Sequence, residues 1–108
     1  MNWFCDGGLH RICVCNEVGE VFIEKVDGTN NENEYRSMIL ALKKAKDEDY
    51  VFADSQLVVN QLTKNWKVKT PHLFPLFYEA KNLLKDKKII VEWVSRDLNR
   101  AGHILEGL

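Results

Sequence analysis

The sequence predicts an α/β domain built on a five-stranded mixed sheet: three antiparallel strands, then two parallel ones, flanked by helices. Short, turn-rich connections join the first three apolar segments, which favours antiparallel pairing. The pattern then changes to helical spacing, and two later apolar runs are separated from the first three by helices, which favours parallel pairing. A chain of 108 residues fits a single domain spanning 1–108.

Three short strands are predicted in the first quarter of the chain. Asn2 to Cys5 is rich in aromatic residues and ends at a turn signal, Asp6-Gly7-Gly8. Arg11 to Asn16 alternates in hydropathy, and after a hairpin turn the chain returns through Val21 to Val26. Connections this short place the three strands side by side in an antiparallel sheet.

The next segment has the spacing of an amphipathic helix. Its apolar residues recur at i, i+3, i+4 and i+7, and they are Tyr35, Met38, Ile39 and Leu42. Asn30 or Asn31 can cap the helix N-terminus. Acidic residues in the first turn and lysines in the last turn suit the helix dipole.

The second half alternates between short apolar runs and helical patterns. Tyr50 to Ala53 predicts a buried strand, and Asp54-Ser55 opens a second helix. A third helix ends near Leu84 and begins either at a Thr70-Pro71 cap or nearer Phe74. Two elements complete the prediction, a strand over Ile89 to Val94 and one or two helical turns over 99–108.

Composition excludes several classes of protein. Hydrophobic residues make up 45% and the formal net charge is −1, which argues against long disorder. No apolar run approaches the roughly 20 residues of a membrane span. The N-terminus lacks the basic region of a secretory signal, so we expect a cytoplasmic monomer with no membrane partner.

Lysines concentrate in residues 60–88, which hold seven lysines and only two acidic residues. Such a run is either a solvated helix face or a surface that binds a polyanion. The three cysteines, Cys5, Cys13 and Cys15, are too few and too close together for a disulfide framework. They are interpreted as buried thiols, with a zinc site that includes His10 as the alternative.

Three carboxylates stand at junctions between predicted elements. Asp6 ends the first strand, Glu34 lies in the first turn of the first helix, and Asp54 ends the fourth strand. If the first and fourth strands are neighbours, these groups converge and would repel one another unless a cation neutralised them. Hard oxygen ligands select Mg²⁺ or Mn²⁺. Taken singly, each could instead be a capping or turn residue.

Four motifs in order resemble those of type 1 ribonucleases H. Thr29 to Tyr35 is similar to the T-N-N-x-x-E-[YFL] segment, and Asp54 to Val58 reads D-S-Q-L-V. Trp93 to Asn99 is similar to W-V-x-R-x-x-N, and Asp6-Gly7 matches the opening D-G. The ordered set covers nearly the whole chain and is more specific than any single motif.

The resemblance implies the ribonuclease H-like fold and an endonuclease that cuts the RNA strand of RNA–DNA hybrids without sequence preference. It implies two Mg²⁺ or Mn²⁺ ions, with Asp6, Glu34 and Asp54 as ligands. The residues implied to contact the hybrid are Gly7, Thr29, Asn30, Asn31, Gln56, Trp66, Lys67 and Lys69. Alternatives are a non-catalytic hybrid-binding module, a structural or partner-binding domain, and a nuclease for another duplex.

Three features depart from the family pattern. His103 stands where the family usually has the fourth metal-site aspartate, so we expect it to bind metal or to assist proton transfer or product release. The loop after Asp6-Gly7 is short, and His10 or Arg11 would have to replace its contacts. The chain also lacks the basic protrusion of some bacterial members, and its final helix is short, which predicts weak, salt-sensitive binding.

Overall fold

The computed structural model describes residues 1–108 and contains five strands and four helices. The strands are β1 (Asn2–Gly7), β2 (Arg11–Asn16), β3 (Val21–Lys25), β4 (Tyr50–Ala53) and β5 (Ile90–Trp93). The helices are α1 (Asn30–Lys44), α2 (Gln56–Thr63), α3 (Phe74–Asp86) and α4 (Arg100–Glu106). Single 3-10 turns at Pro71–Leu73 and Arg96–Leu98 lead into α3 and α4.

The five strands form one sheet in the order β3-β2-β1-β4-β5. β1 pairs antiparallel with β2, and β2 pairs antiparallel with β3. β4 lies parallel to both β1 and β5. The predicted mixed sheet is therefore confirmed, and the first and fourth strands are neighbours.

Element boundaries differ from the predictions by one or two residues. β1 continues through Asp6 and Gly7 because these residues pair with Cys13 and Ile12 of β2. The third helix follows the second predicted start, since a 3-10 turn after Thr70 precedes α3 and Pro75 occupies its first turn. The last strand is shorter than predicted.

Side-chain caps fix the start of the helices that border the site. Thr29 accepts a hydrogen bond from the Glu32 N–H, while the Glu32 carboxylate accepts one from the Thr29 N–H, forming a capping box. Ser55 caps α2 by accepting a hydrogen bond from the Val58 N–H, and Asn99 caps α4 by accepting one from the Ala101 N–H. The caps define where each helix begins beside the neighbouring strand end.

The core lies mainly on one side of the sheet. Helix α1 packs across it, and its apolar residues, with Tyr35, Met38 and Leu42 fully buried, match the predicted helix face. On the other side, α4 covers a smaller cluster formed by Cys13, Cys15 and Ala101. No helix combines the length and hydropathy that crossing a bilayer requires.

Candidate functional site

Asp6, Glu34 and Asp54 come together at one end of the sheet. Each offers a carboxylate oxygen, and these oxygens all lie within 4.8 Å of one another. Asp6 is 3% exposed, Glu34 is 9% exposed and the Asp54 side chain is 12% exposed. The structure therefore brings together the three carboxylates that the sequence placed at element junctions.

The pairing of β1 with β4 sets two of these positions. Cys5 lies opposite Ala53 in the parallel register, so the next residues along the chain, Asp6 and Asp54, lie side by side at this end of the two strands. Two further contacts hold Asp54, since its carboxylate accepts a hydrogen bond from Asn99 at 3.0 Å and its carbonyl accepts one from the Trp93 indole at 3.0 Å.

Close packing of β1 against α1 sets the third position. A Cβ atom at Gly7 would overlap the backbone of Asn33 and Glu34, so only glycine allows this approach. The Gly7 N–H donates to the Glu34 carboxylate. Gly7 thus has a structural role in seating Glu34, whatever it contacts in a substrate.

Proximity and burial make the ionised form of this cluster costly. Burial, with the neighbouring Asp6 charge, raises the pKa of Glu34 to about 8, although the Gly7 N–H opposes the rise. Burial and the Asp54 charge likewise raise the pKa of Asp6, and Arg96 opposes this shift. Glu34 therefore holds a proton near neutral pH unless a cation compensates the negative charge.

Arg96 supplies one such positive charge. Its Nη1 lies 2.8 Å from Asp6 Oδ1 and 3.0 Å from Asp54 Oδ2. Its other side binds Glu106, with Nη2 at 3.0 Å and Nε at 3.1 Å from the carboxylate. Gly102 provides the space, because a Cβ there would lie 2.9 Å from the guanidinium carbon.

His103 lies outside the group of three carboxylates. Its Nε2 is 2.8 Å from the carbonyl oxygen of Asp97, and the side chain is exposed. The imidazole stands on α4, whose capping residue Asn99 also holds Asp54. His103 therefore does not contact the carboxylate cluster in this structure.

The donor set suits a hard divalent cation. All three groups are carboxylates, and they converge from three elements without a thiolate or imidazole among them. The alternative zinc site at the cysteines and His10 is not formed, because the carboxylate cluster is the one place where three or more potential metal ligands lie together. Cys5, Cys13 and Cys15 are buried, unpaired thiols, as expected for small apolar residues.

Four of the eight residues implied to contact a hybrid are exposed and lie at the starts of α1 and α2. Asn30, Asn31 and Gln56 are exposed. Thr29 is exposed as well, and because its hydroxyl accepts the capping bond, its proton stays available to a phosphate. Asn33, which the sequence had not singled out, donates to the carbonyl groups of Gly8 and Leu9 and so fixes the short first loop.

Trp66, Lys67 and Lys69 line an open cavity of about 600 Å³. Trp66 is 48% exposed, so it is not a core tryptophan. Asn31 lies on the rim of the same cavity and links it to the start of α1. Several predicted contact residues therefore share one groove.

Two site residues were missed by sequence reasoning, although both lie in a motif it quoted. Arg96 and Asn99 are the R and the N of the segment that begins at Trp93. Both contact Asp54, and Asn99 also donates to the Cys5 carbonyl at 2.9 Å. Their spacing from the last strand was the available signal.

Several known proteins are similar to this chain in sequence and in fold. A family model described as reverse transcriptase-like matches residues 7–105. The bifunctional protein Rv2228c of Mycobacterium tuberculosis is 42% identical in a 76-position alignment that covers 66% of this chain and 21% of that protein. The chain thus spans about a fifth of the length of the curated relatives it matches.

Solved structures agree with the family match. The N-terminal RNase H domain of Rv2228c has a TM-score of 0.76 at 31% identity, with 91% of this chain and 84% of that chain covered. RNase H1 from the archaeon Halobacterium salinarum has a TM-score of 0.77 at 26% identity, with 96% and 92% covered. With the five-stranded sheet and the family match over most of its length, the chain belongs to the type 1 ribonuclease H family.

Proposed function

We propose that this chain is a metal-dependent endonuclease that cleaves the RNA strand of RNA–DNA hybrids. The observation that carries the proposal is the convergence of Asp6, Glu34 and Asp54 within 4.8 Å. In addition, four of the implied hybrid-contacting residues line one groove, namely Asn31, Trp66, Lys67 and Lys69. The related RNase H domain of Rv2228c supports the reaction class. LC11-RNase H1, whose structure was solved in complex with an RNA/DNA hybrid, shares the fold with a TM-score of 0.78.

Asp6, Glu34 and Asp54 would hold Mg²⁺ or Mn²⁺, and we propose two ions per site. When bound, such ions lower the pKa of water and stabilise the developing charge on a phosphodiester. Other residues of the chain would bind the substrate and position the ligands. Thr29, Asn30, Asn31 and Gln56 would bind the duplex, and Gly7 would seat Glu34 beside Asp6. The products would carry 5′-phosphate and 3′-hydroxyl ends.

His103 is proposed to act at the periphery of this site. Its exposed ring, midway along α4, would assist proton transfer or product release. It could also turn toward the cluster as a further ligand. Its contact with the Asp97 carbonyl oxygen shows that the ring is oriented by the neighbouring turn rather than by the carboxylates.

One observation favours a second candidate, a hybrid-binding module without turnover. The Arg96 guanidinium contacts both Asp6 and Asp54, so positive charge from the chain itself already balances two of the three carboxylates. A module of this kind would bind the hybrid through the same groove and would not depend on a metal ion.

Cleavage of end-labelled substrates distinguishes these candidates. The wild-type chain and Asp54→Asn are incubated with an RNA–DNA hybrid, single-stranded RNA, double-stranded RNA and double-stranded DNA, each with Mg²⁺, with Mn²⁺ and with chelator. We expect metal-dependent cutting of the RNA strand of the hybrid alone, abolished by Asp54→Asn. The control Glu24→Gln removes an exposed carboxylate of β3 and should cut normally. Hybrid binding without cutting under any condition would establish the module instead.

A further inference from the structure

An aromatic cavity lies beside the proposed hybrid groove. Trp66 is 48% exposed, Phe74 39% and Tyr78 59%. Single exposed aromatic residues are common, but these three line one cavity of about 310 Å³ together with Phe77. The Phe74 and Tyr78 ring centroids are 6.4 Å apart, and those of Phe77 and Tyr78 are 5.4 Å apart. Exposed ring surface is thus concentrated at one place.

The aromatic cavity adjoins the larger groove. The two cavities share Gln61, Trp66 and Lys67 in their walls. The larger one reaches Asn31 at the start of α1, and the aromatic one reaches Tyr78 on α3. A nucleic-acid strand that follows the larger groove past Trp66 therefore enters the aromatic cavity next.

The segment that separates the two cavities is held in place. The Trp66 N–H donates to the Asn60 carbonyl at 3.2 Å, and the Gln61 amide donates to the Lys67 carbonyl at 3.3 Å. Gln61 in turn accepts a hydrogen bond from Tyr35 in the core. The Trp66 ring and Lys67 thus project from a backbone tied to α2, which reduces the ordering cost of binding.

The chemistry of the cavity matches unpaired nucleotides. Bases stack on exposed aromatic rings with little sequence preference, and Lys67 in the wall of the cavity attracts the phosphates. Bases inside a duplex are already stacked and paired, so they cannot present their faces to these rings. The positive charge next to the rings argues for a polyanion rather than an apolar protein surface.

Resting on the proposed function, we infer that this aromatic cavity binds unpaired DNA nucleotides that extend beyond the hybrid. The strand would leave the groove at Trp66 and stack its first unpaired bases on Phe74 and Tyr78. The chain would then prefer hybrids that end in a single-stranded DNA extension over blunt ones. The larger groove would still bind the duplex itself.

Fluorescence anisotropy in chelator, which prevents cleavage, tests this inference. The probes are one labelled hybrid in four forms: blunt, with ten thymidines on the DNA 3′ end, with the same extension on the DNA 5′ end, and with an RNA extension of equal length. We expect one DNA-tailed form to bind roughly fivefold or more tighter than the blunt form. Tyr78→Ala should remove that gain and leave blunt affinity unchanged.

Tyr50→Ala is the matched control, since Tyr50 is also an exposed tyrosine, located on β4. It should keep the full gain. Equal affinity for blunt and tailed hybrids, or a gain that Tyr78→Ala leaves intact, overturns the inference without touching the proposed function. A wild-type chain that binds no hybrid overturns the proposed function itself.

Discussion

Arg96 Nη1 lies 2.8 Å from Asp6 Oδ1, so an exposed guanidinium reaches a carboxylate that is otherwise buried. The same nitrogen contacts Asp54, and Glu106 holds the rest of the guanidinium. Arg96 thereby joins two strand ends to α4. It also balances charge at the place where the proposed metal ions would bind, and a divalent cation between these carboxylates would compete with it.

The first prediction concerns Arg96→Gln. In chelator, the variant loses the guanidinium that offsets repulsion between Asp6 and Asp54, and its free energy of unfolding should fall. Since the Arg96 side chain is 47% exposed, water screens part of the attraction, and we expect a loss of about 1 kcal/mol. Adding Mn²⁺ should raise the Tm of the variant more than that of the wild type. Thermal unfolding with and without Mn²⁺ measures both effects.

Arg11→Gln serves as the control for this prediction, because Arg11 is an exposed arginine that makes no ion pair. Its Tm should match that of the wild type under both conditions. If Arg96→Gln gains no more from Mn²⁺ than the wild type does, the guanidinium does not compete with the metal.

A second prediction concerns His103. If its ring assists proton transfer or product release, His103→Ala should lower turnover on the hybrid roughly tenfold or more. His103→Asp should shift the metal preference toward Mg²⁺, because a carboxylate suits that ion better than an imidazole does. The measurement is the rate of hybrid cleavage across Mg²⁺ and Mn²⁺ concentrations. Unchanged kinetics in both variants would show that His103 has no part in the reaction.

The sheet and the carboxylate cluster followed from local patterns in the sequence. Asp6 and Asp54 come at or next to the ends of strands, and a parallel pairing of those strands places them together. Glu34 lies in the first turns of α1 as predicted, although the helix is capped by Thr29 and not by Asn30 or Asn31. These relationships depend on backbone geometry, which periodicity and turn residues specify.

The contacts of long side chains could not be predicted in the same way. Arg96 reaches Asp6 across ninety positions of the sequence, and its guanidinium packs closely against Gly102. His103 was placed at the cluster by its register in a motif, yet its ring is oriented by the Asp97 carbonyl oxygen. Side-chain direction depends on packing between elements, which no local pattern contains.

A third prediction concerns the approach of β1 to α1. In Gly7→Ala, the added Cβ would overlap the backbone of Asn33 and Glu34, and backbone cannot turn aside as a flexible side chain can. Forced overpacking of this kind costs about 1 to 3 kcal/mol. The neighbouring Gly8→Ala is the matched control, since its nearest contact would be an ordinary 3.6 Å. Urea unfolding should separate the two variants, and equal stabilities would contradict the packing role of Gly7.

A fourth prediction follows from the pKa of Glu34, which burial raises to about 8. In the unfolded chain this group titrates near its ordinary value of about 4.3. Between these two values the folded protein binds more protons at this site than the unfolded chain does. Its free energy of unfolding therefore falls as the pH rises through this interval. In metal-free buffer, the wild type should be more stable at pH 5 than at pH 8 for this reason.

Glu34→Gln removes this titration while keeping the size of the side chain. One pKa unit corresponds to about 1.4 kcal/mol, so over the three pH units from 5 to 8 the stability of Glu34→Gln relative to the wild type should rise from a small difference by up to about 4 kcal/mol. Asp6 contributes a similar slope to both proteins, which is why the difference between them is the quantity to measure. Urea unfolding in chelator at several pH values gives that difference. A difference that stays constant from pH 5 to pH 8 would mean that Glu34 is already ionised in the folded protein at the lower pH.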